Sequence, residues 1–528
     1  MMNKKLLTVG SGLAVALGVA ACNTDNLTNL NKNPNSPEDV PATVLFTAGS
    51  VDAVGRWLGA GYDLRAAEFV VQHQAEVQYP DEDRYTRITG GSTAGYFDNP
   101  YIVHLEDFQK VIDKGTAASQ AGIYGPALAL RTWSFSYLTN SWGDIPYFDA
   151  LKGDAATGSL SPKYDAQKDI YTDMFAVLDK ASKDMAAAGA DAVTLGGGDP
   201  IYGGELVKWQ RFANSLRARL ALLLVNKDPA TANTQLAAAF AAPGGVFQSN
   251  ADNAQLAWPG DGVYNNPWAG FFSTRDDNRV SLVLINLMKS LNDPRIPLFA
   301  QPSPDDSTSS TYKGAPNGLT AEKAAPFICC SSRVTAQMFP GNTAYGFFGG
   351  TGNSFPSFLL TYAEVALIQA EAAERSLGGL NPAQAAGFYD AGITASIEQW
   401  GGSAADAVTY LTQPGVLYVP GTPGLVQIAQ QKWLALFADG GTAWAEWRRT
   451  CVPYTISPGE DASAANIPRR LQYSTTEVSV NGVNLAAAIA VQGPDKFESR
   501  MYWDTAPTAA PTYPTTFTCG LRGSAPAP

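Results

Sequence analysis

The chain has 528 residues, of which 45% are hydrophobic and 11% aromatic, so it is long and apolar enough to bury a large core. Its formal net charge of −12 disfavours nucleic acid and anionic lipid as partners, because both are themselves negatively charged. With only two histidines, His73 and His104, histidine-based metal or triad chemistry is not expected.

The N-terminus has the pattern of a secretion signal. Lys4 and Lys5 precede an uncharged apolar run that is shorter than the roughly 20 residues of a membrane-spanning helix. The run ends in Val-Ala-Ala before Cys22, which resembles the lipobox of bacterial lipoproteins, where this cysteine is acylated. We predict a signal peptide over 1–21, lipidation of Cys22 and a flexible polar leash over 22–40. A soluble export signal followed by a chance cysteine is the alternative.

Removal of the predicted signal peptide would take away Lys4 and Lys5 and no acidic residue. The mature chain would then carry 34 basic and 48 acidic residues, from the 36 and 48 of the full chain, for a net charge of −14. The exclusion of nucleic acid and anionic lipid therefore becomes stronger after cleavage.

Helical periodicity dominates two stretches, 41–245 and 355–450. Between Gly204 and Asn226 apolar residues recur at steps of three and four, which places them on one helix face. Similar patterns predict helices at Gly122–Asn140, Tyr164–Ala188, Pro356–Leu377, Pro382–Trp400 and Leu425–Phe437.

The ends of several predicted helices carry expected boundary residues. Asn381 is placed to cap the helix that begins at Pro382, and Gly189, Gly378 and Gly401 stand where a left-handed residue would end a helix. Adjacent helices of similar length indicate either stacked antiparallel pairs, as in tetratricopeptide repeats, or an ordinary bundle.

The region 247–352 is predicted to be a loop-rich insertion, because Gly, Pro, Asp, Asn and aromatic residues replace the helical pattern. Residues 454–528 are irregular again. Loops that mix aromatic with polar side chains suit carbohydrate, since sugar rings stack on aromatic faces and sugar hydroxyls form hydrogen bonds. The candidate ligand-binding residues with this mixture are Trp258, Tyr264, Asn265, Asn266 and Trp268, together with Tyr79, Arg84 and Tyr85 in an earlier loop. For any single aromatic residue, a place in the core is the alternative.

An acidic run in the same loop as Tyr79 admits two interpretations. The run Asp81-Glu82-Asp83 offers oxygen ligands for a cation such as calcium, but short acidic runs are usually solvated turns, and we predict no metal site.

Four cysteines remain if Cys22 is lipidated, and an exported compartment permits disulfides. Neighbours such as Cys329 and Cys330 rarely bond to each other, so we expect them to pair with Cys451 and Cys519, although four cysteines allow three connectivities that the sequence does not separate.

Sequence motifs of the common catalytic classes are absent. The string closest to a Gly-x-Ser-x-Gly elbow, Gly91 to Gly95, has its serine in the wrong place, and the chain has no HExxH, Walker A, EF-hand or dinucleotide fingerprint. A glycosidase that uses a carboxylate pair needs none of these, so a lipid-anchored glycoside hydrolase remains the enzymatic alternative. A helical-repeat scaffold of the cell envelope is the structural alternative.

Several strings, in their order and spacing, resemble the SusD/RagB family of outer-membrane nutrient-binding lipoproteins. They are Leu30–Phe46 (LNKNPNSPEDVPATVLF), Leu130–Leu151 with its Gly-Asp-Ile-Pro-Tyr turn, Asn292–Ala300 (NDPRIPLFA) with Tyr312–Leu319, Leu359–Ser376, Gln431–Pro453 and Ile467–Tyr473.

The resemblance implies a mostly α fold over a single body, 41–528, in which a superhelix of about four tetratricopeptide-like helical pairs packs against an irregular ligand-binding region. It also implies a protein without catalytic activity or cofactor, which is anchored by lipid at the outer membrane, on the cell surface. Such a protein captures an oligosaccharide, or in some members a peptide, and delivers it to a partner TonB-dependent (SusC-like) transporter.

Overall fold

The computed structural model describes residues 39–153, 158–189, 192–306, 308–339, 352–505, 519–520 and 522. The predicted signal peptide, the lipidation site Cys22 and nearly all of the predicted leash lie outside the described residues. Within these ranges, the structure contains no helix that is both long and apolar enough to cross a membrane.

Helices make up most of the described chain. The first block consists of α1 Ala42–Trp57, a π-helical turn Asp63–Ala67, α2 Glu68–Val70, β1 Gln74–Glu76, α3 Ala94–Ile102, α4 His104–Ala117, α5 Ala121–Trp142, α6 Gln167–Ala188, α7 Leu206–Leu223 and α8 Pro229–Phe240. The central region has β2 Ala254–Leu256, α9 Pro267–Phe272, β3 Asn278–Val280, α10 Leu282–Ser290, α11 Ile296–Phe299 and α12 Ala321–Ile328. The last block has β4 Ser357–Leu360, α13 Tyr362–Glu374, α14 Ala385–Gln399, α15 Ala404–Leu411, α16 Thr422–Ala435, α17 Gly440–Thr450, α18 Thr475–Val480 and α19 Gly482–Gln492.

In the described chain, four pairs of long consecutive helices form the scaffold: α4 with α5, α6 with α7, α13 with α14, and α16 with α17. Helix α1 packs on α4, while α13 contacts both α7 and α16 and so joins the two blocks. One hydrophobic core runs through both blocks, and it includes Trp133, Trp209, Trp433 and Trp444, each almost fully buried. The predicted mostly α fold of helical pairs is confirmed.

Most predicted helix ends are confirmed. Asn381 and Gln384 form a capping box, and Gly189 and Gly401 have φ angles of 74° and 93° at the ends of their helices. The prediction for Gly378 is wrong, because α13 ends at Glu374 and the left-handed residue that follows it is Ser376, with a φ angle of 56°. The predicted start at Pro356 is wrong. That segment forms strand β4, which pairs with β2, and helix α13 begins only after Thr361, whose side chain caps it.

Buried charges connect the helices of the last block. Arg449 on α17 donates two hydrogen bonds of 2.6 Å to Glu371 on α13 and one of 2.6 Å to Glu446, and Lys432 on α16 lies 2.9 Å from Glu446. Burial alone would raise the pKa of Glu371, but Arg449 and Lys432 lower it well below its usual value. These ion pairs therefore fix α13, α16 and α17 against one another.

The disulfide expectation is wrong in one respect. The structure joins Cys451 to Cys519 and the neighbours Cys329 and Cys330 to each other. Cys451 is buried at the end of α17, and a backbone hydrogen bond from Ile467 to Gly520 holds the C-terminal segment beside it. Cys519 is therefore already positioned for Cys451, which leaves the adjacent pair to bond internally.

Candidate ligand groove

A two-stranded antiparallel sheet brings two loops together that are about 200 residues apart in sequence. Strand β1 pairs with β3 in the register Gln74 to Val280 and Glu76 to Asn278, and the amide of Val77 extends the ladder to the carbonyl of Asp277 at 2.8 Å. The chain segments that leave this ladder, after Val77 and before Asp277, therefore emerge side by side.

These two segments and the π-helical turn form an open groove of about 530 Å³. We call it the candidate ligand groove. It is lined by Arg65, Gln78, Tyr79, Asp81, Glu82, Arg87, Thr274, Arg275 and Asp277.

An arginine and an aromatic ring form the most distinctive surface in the groove. The guanidinium of Arg275 lies 5.5 Å from the ring centre of Tyr79 and 5.1 Å from that of Phe271. Tyr79 is 67% exposed, so most of its ring is open to solvent. Arg275 also pairs with Asp277, and Arg65 pairs with Glu82 across the groove. The result is an aromatic ring surrounded by fixed hydrogen-bonding groups.

A buried carboxylate holds the loop that carries Tyr79. Asp83 accepts hydrogen bonds from the amide of Glu76 at 3.1 Å, the side-chain amide of Asn317 at 2.8 Å and the amide of Gly318 at 3.0 Å. Burial raises the pKa of Asp83 to about 6, although these hydrogen bonds lower it in part. Asp83 therefore ties the loop to β1 and to a third chain segment.

Glu76 lies beneath the groove in an unusual environment. Burial, together with the neighbouring carboxylates Glu82, Asp83 and Asp277, raises its pKa to about 10. Its Oε2 has no hydrogen-bond partner among the described residues. Glu76 is consequently protonated at neutral pH.

The backbone of the groove loop is strained at two bulky residues. Tyr79 and Tyr85 have φ angles of 52° and 64°, in the left-handed region that residues with large side chains rarely adopt. Such conformations cost about 1–3 kcal/mol each and persist only where the surrounding structure enforces them, often at binding sites.

The structure brings some of the predicted site residues to this groove and separates others. Tyr79 lines it, and Arg84 lies in the same loop, where it donates to the carbonyl of Asp461 at 3.1 Å. Tyr85 is buried, with 1% exposure, so its ring is part of the core.

The second predicted cluster does not form an aromatic platform. Trp268 is fully buried against Phe437 because it lies on the inner face of α9, and Trp258 is buried with its indole nitrogen donating to Ser357 at 3.0 Å. Asn266 is also buried, where it caps α9 and donates to the carbonyl of Phe355. These three residues are structural, which corrects the expectation that they contact ligand.

Tyr264 and Asn265 lie on a separate exposed turn before α9. Asp261 accepts from the amides of Val263 and Tyr264, and Asn265 accepts from the amide of Gly262. Tyr264 is 54% exposed, but the turn does not line the candidate ligand groove.

Sequence reasoning missed several groove residues, namely Arg65, Gln78, Arg87, Thr274, Arg275 and Asp277. The run Arg275-Asp276-Asp277 was the available signal, since it places charges of both signs next to aromatic Phe271 and Phe272. Nothing in the sequence shows that this run meets Tyr79.

The run Asp81-Glu82-Asp83 is not a solvated turn, because Glu82 and Asp83 are buried and hydrogen-bonded. Across the described residues, no group of three or more His, Cys, Asp or Glu side chains is arranged to hold a metal ion.

Other cavities suit a ligand less well. Two interior cavities of about 20 and 10 Å³ have room for about one water molecule each. A groove of about 570 Å³ between α3 and α18 is walled mainly by apolar groups such as Ile102, Leu160 and Val480, which offer little to a hydroxylated ligand.

A helical-pair scaffold that carries one polar groove with an exposed aromatic ring is typical of a binding protein. A family model described as SusD-like, "Starch-binding associating with outer membrane", matches residues 34–474. The chain belongs to this SusD-like family, whose members are non-catalytic binding proteins. It is an outer-membrane nutrient-binding protein.

Solved structures with the same fold include proteins whose ligand is stated. A chitin-binding protein superposes with a TM-score of 0.74 at 24% identity, covering 88% of this chain and 100% of that chain. A chitin-binding SusD homologue from Flavobacterium johnsoniae gives 0.71 at 24% identity over 88% and 99%. A SusD homologue from Bacteroides uniformis gives 0.72 at 23% identity over 89% and 100%. At these identities the likeness establishes the fold alone. Among curated protein sequences, none matches the chain.

Proposed function

We propose that this protein captures a neutral oligosaccharide in the candidate ligand groove. The observation that carries the proposal is the exposed ring of Tyr79 next to Arg275, beside paired carboxylates and guanidinium groups. The ring offers a face on which a sugar can stack, and the paired groups supply fixed donors and acceptors for hydroxyls.

The charge of the groove supports a neutral ligand. Three arginines, Arg65, Arg87 and Arg275, are balanced in the lining by Asp81, Glu82 and Asp277. An acidic sugar would have to compete with Glu82 and Asp277 for the arginines with which they already pair. The chitin that the two relatives bind is a neutral polymer, which is consistent with this charge balance.

The cellular role follows from the family and from the N-terminal sequence. We propose that Cys22 is lipidated, that the protein faces outward at the cell surface, and that it passes its ligand to a partner TonB-dependent transporter. Co-purification of the native lipoprotein with such a transporter from outer membranes, and the mass of an acylated N-terminal peptide, would test these points. A native N-terminal peptide that lacks acyl groups would contradict the anchor.

The ligand is tested by calorimetric titration of the soluble chain from Asn23 with neutral oligosaccharides, including chito-oligosaccharides, while released sugars are assayed in the same samples. We expect binding without cleavage. Cleavage would instead favour a glycoside hydrolase. If the folded protein binds none of the oligosaccharides, the result would contradict a neutral glycan as ligand and favour a peptide.

The site is tested by a matched pair of tyrosine variants. Tyr79→Ala should raise Kd about tenfold, since loss of a stacked aromatic face costs about 1.5 kcal/mol. Tyr264→Ala removes another exposed tyrosine, which lies outside the groove, and should leave Kd unchanged. Equal effects of the two variants would contradict the assignment of the groove.

A further inference from the structure

The disulfide between Cys329 and Cys330 lies on the surface, directly after α12. Cys329 is exposed and Cys330 is half-buried, whereas in the other disulfide Cys451 is buried and Cys519 is half-buried. An attacking thiolate needs access to a sulfur atom, so the two disulfides differ in the property that controls exchange.

The two bonds also differ in what they contribute to stability. Cys451 and Cys519 are 68 residues apart, and closing a loop of that length stabilises a fold by restricting the unfolded chain. A bond between sequence neighbours closes almost no loop and restricts the unfolded chain very little. Global stabilisation therefore does not account for the Cys329–Cys330 bond.

The segment around this bond is connected to the candidate ligand groove. Arg279 in β3 donates to the carbonyl of Ile328 at 2.7 Å, and its other terminal nitrogen donates to Asp276 at 2.9 Å. Arg333 holds the same carboxylate with two hydrogen bonds of 2.7 Å. Asp276 directly precedes Asp277 in the groove wall.

Two further contacts fix the segment. Phe327 and Ile328 pack against a small cluster of Ala75, Val77 and Ala315, and Val77 directly precedes the groove residue Gln78. The carbonyl of Cys330 accepts a hydrogen bond of 2.6 Å from Ser303. A change in the backbone at Cys329 and Cys330 therefore acts directly on residues that support the groove wall.

We propose that the Cys329–Cys330 disulfide is a thiol–disulfide exchange site, which an external dithiol opens while Cys451–Cys519 stays closed, and that its opening loosens the wall of the candidate ligand groove. One thiolate of the dithiol attacks the exposed sulfur of Cys329 and releases the Cys330 thiolate. The second thiol of the reductant then displaces Cys329. The protein gains two electrons and two protons, and the dithiol leaves as a disulfide.

The exchange is tested on the folded soluble chain with increasing dithiothreitol, trapping with N-ethylmaleimide and peptide mass mapping. Cys329 and Cys330 should be labelled at about tenfold lower reductant than Cys451 and Cys519, because Cys451 is buried and Cys519 is half-buried, so that attack on their bond requires local opening. Labelling of all four together, or of Cys451 and Cys519 first, would overturn the proposal.

The link to the groove is tested by amide hydrogen exchange, which needs no ligand and so stands apart from the proposed function. Reduction should speed exchange in 275–280, and the double variant Cys329→Ser with Cys330→Ser should show the fast exchange without reductant and no response to it. Unchanged exchange in 275–280 after selective reduction of the wild-type protein would overturn the link.

Discussion

The ion-pair cluster of Glu371 in the helical scaffold and the Glu76 site beneath the candidate ligand groove place buried carboxylates in opposite environments. In the scaffold, Glu371 is held by Arg449, and burial is outweighed so that its pKa falls well below normal. Beneath the groove, Glu76 lies among other carboxylates and its pKa rises to about 10. The Glu371 cluster is thus stabilised by ion pairs, whereas Glu76 beneath the groove keeps a bound proton.

The largest expected effect comes from breaking the scaffold network. Arg449→Met should lower the free energy of unfolding by about 3–5 kcal/mol, because it leaves two buried carboxylates, Glu371 and Glu446, short of a partner. The control is Arg375→Met, which removes a partly exposed arginine from Glu371 and should cost less than about 1 kcal/mol. Urea unfolding measures both, and similar losses would mean that burial does not decide the strength of these pairs.

The contribution of Glu76 to the free energy of unfolding should change with pH in the opposite sense from that of a carboxylate in an ion pair. The folded pKa of Glu76, about 10, exceeds the usual value of 4.5, so its contribution to stability is greatest below pH 4.5 and is lost as the pH rises toward 10. Glu76→Gln, which is permanently neutral, should raise the free energy of unfolding by about 2–3 kcal/mol at pH 7 and leave it unchanged at pH 4. Denaturant unfolding at both pH values checks this. An equal change at the two pH values would show that the proton is not the cause.

The smallest effect is expected at the groove surface. Arg275→Lys keeps the positive charge beside Asp277 but loses the planar group next to Tyr79 and Phe271, so Kd for the bound oligosaccharide should rise about two- to fivefold. Calorimetric titration measures this change. Arg56→Lys, at an ion pair with Asp52 on α1, is the control and should have no effect. An effect as large as that of Tyr79→Ala would mean that charge geometry, rather than the aromatic face, dominates binding.

The parts of the fold that the sequence predicted are those with local causes. Helix periodicity, the capping box at Asn381 and the glycines Gly189 and Gly401 at two helix ends depend on neighbours within a few residues, and the structure confirms them. The predicted start of α13 was wrong because the preceding residues form β4, and this strand is defined by its partner β2, about 100 residues earlier in the chain.

The groove could be predicted only in part, because it depends on contacts between distant segments. Tyr79 was identified from local composition, but its partner Arg275 comes close only through two three-residue strands with no periodic signal. Trp258 and Trp268 have the composition of a sugar platform, yet packing against Ser357 and Phe437 places them in the core. Aromatic content alone therefore does not distinguish a platform from a core.

The short ladder between β1 and β3 has a consequence for how this protein diverges. The loops beyond Val77 and before Asp277 end on strands of only three residues, and none of the four scaffold helix pairs supplies a residue to the groove lining. Substitutions at the exposed lining positions of these loops, such as Tyr79 and Thr274, can accumulate without disturbing the ion pairs or the core of the scaffold. Ligand preference can therefore drift between descendants of one ancestor while the body of the protein stays recognisably the same.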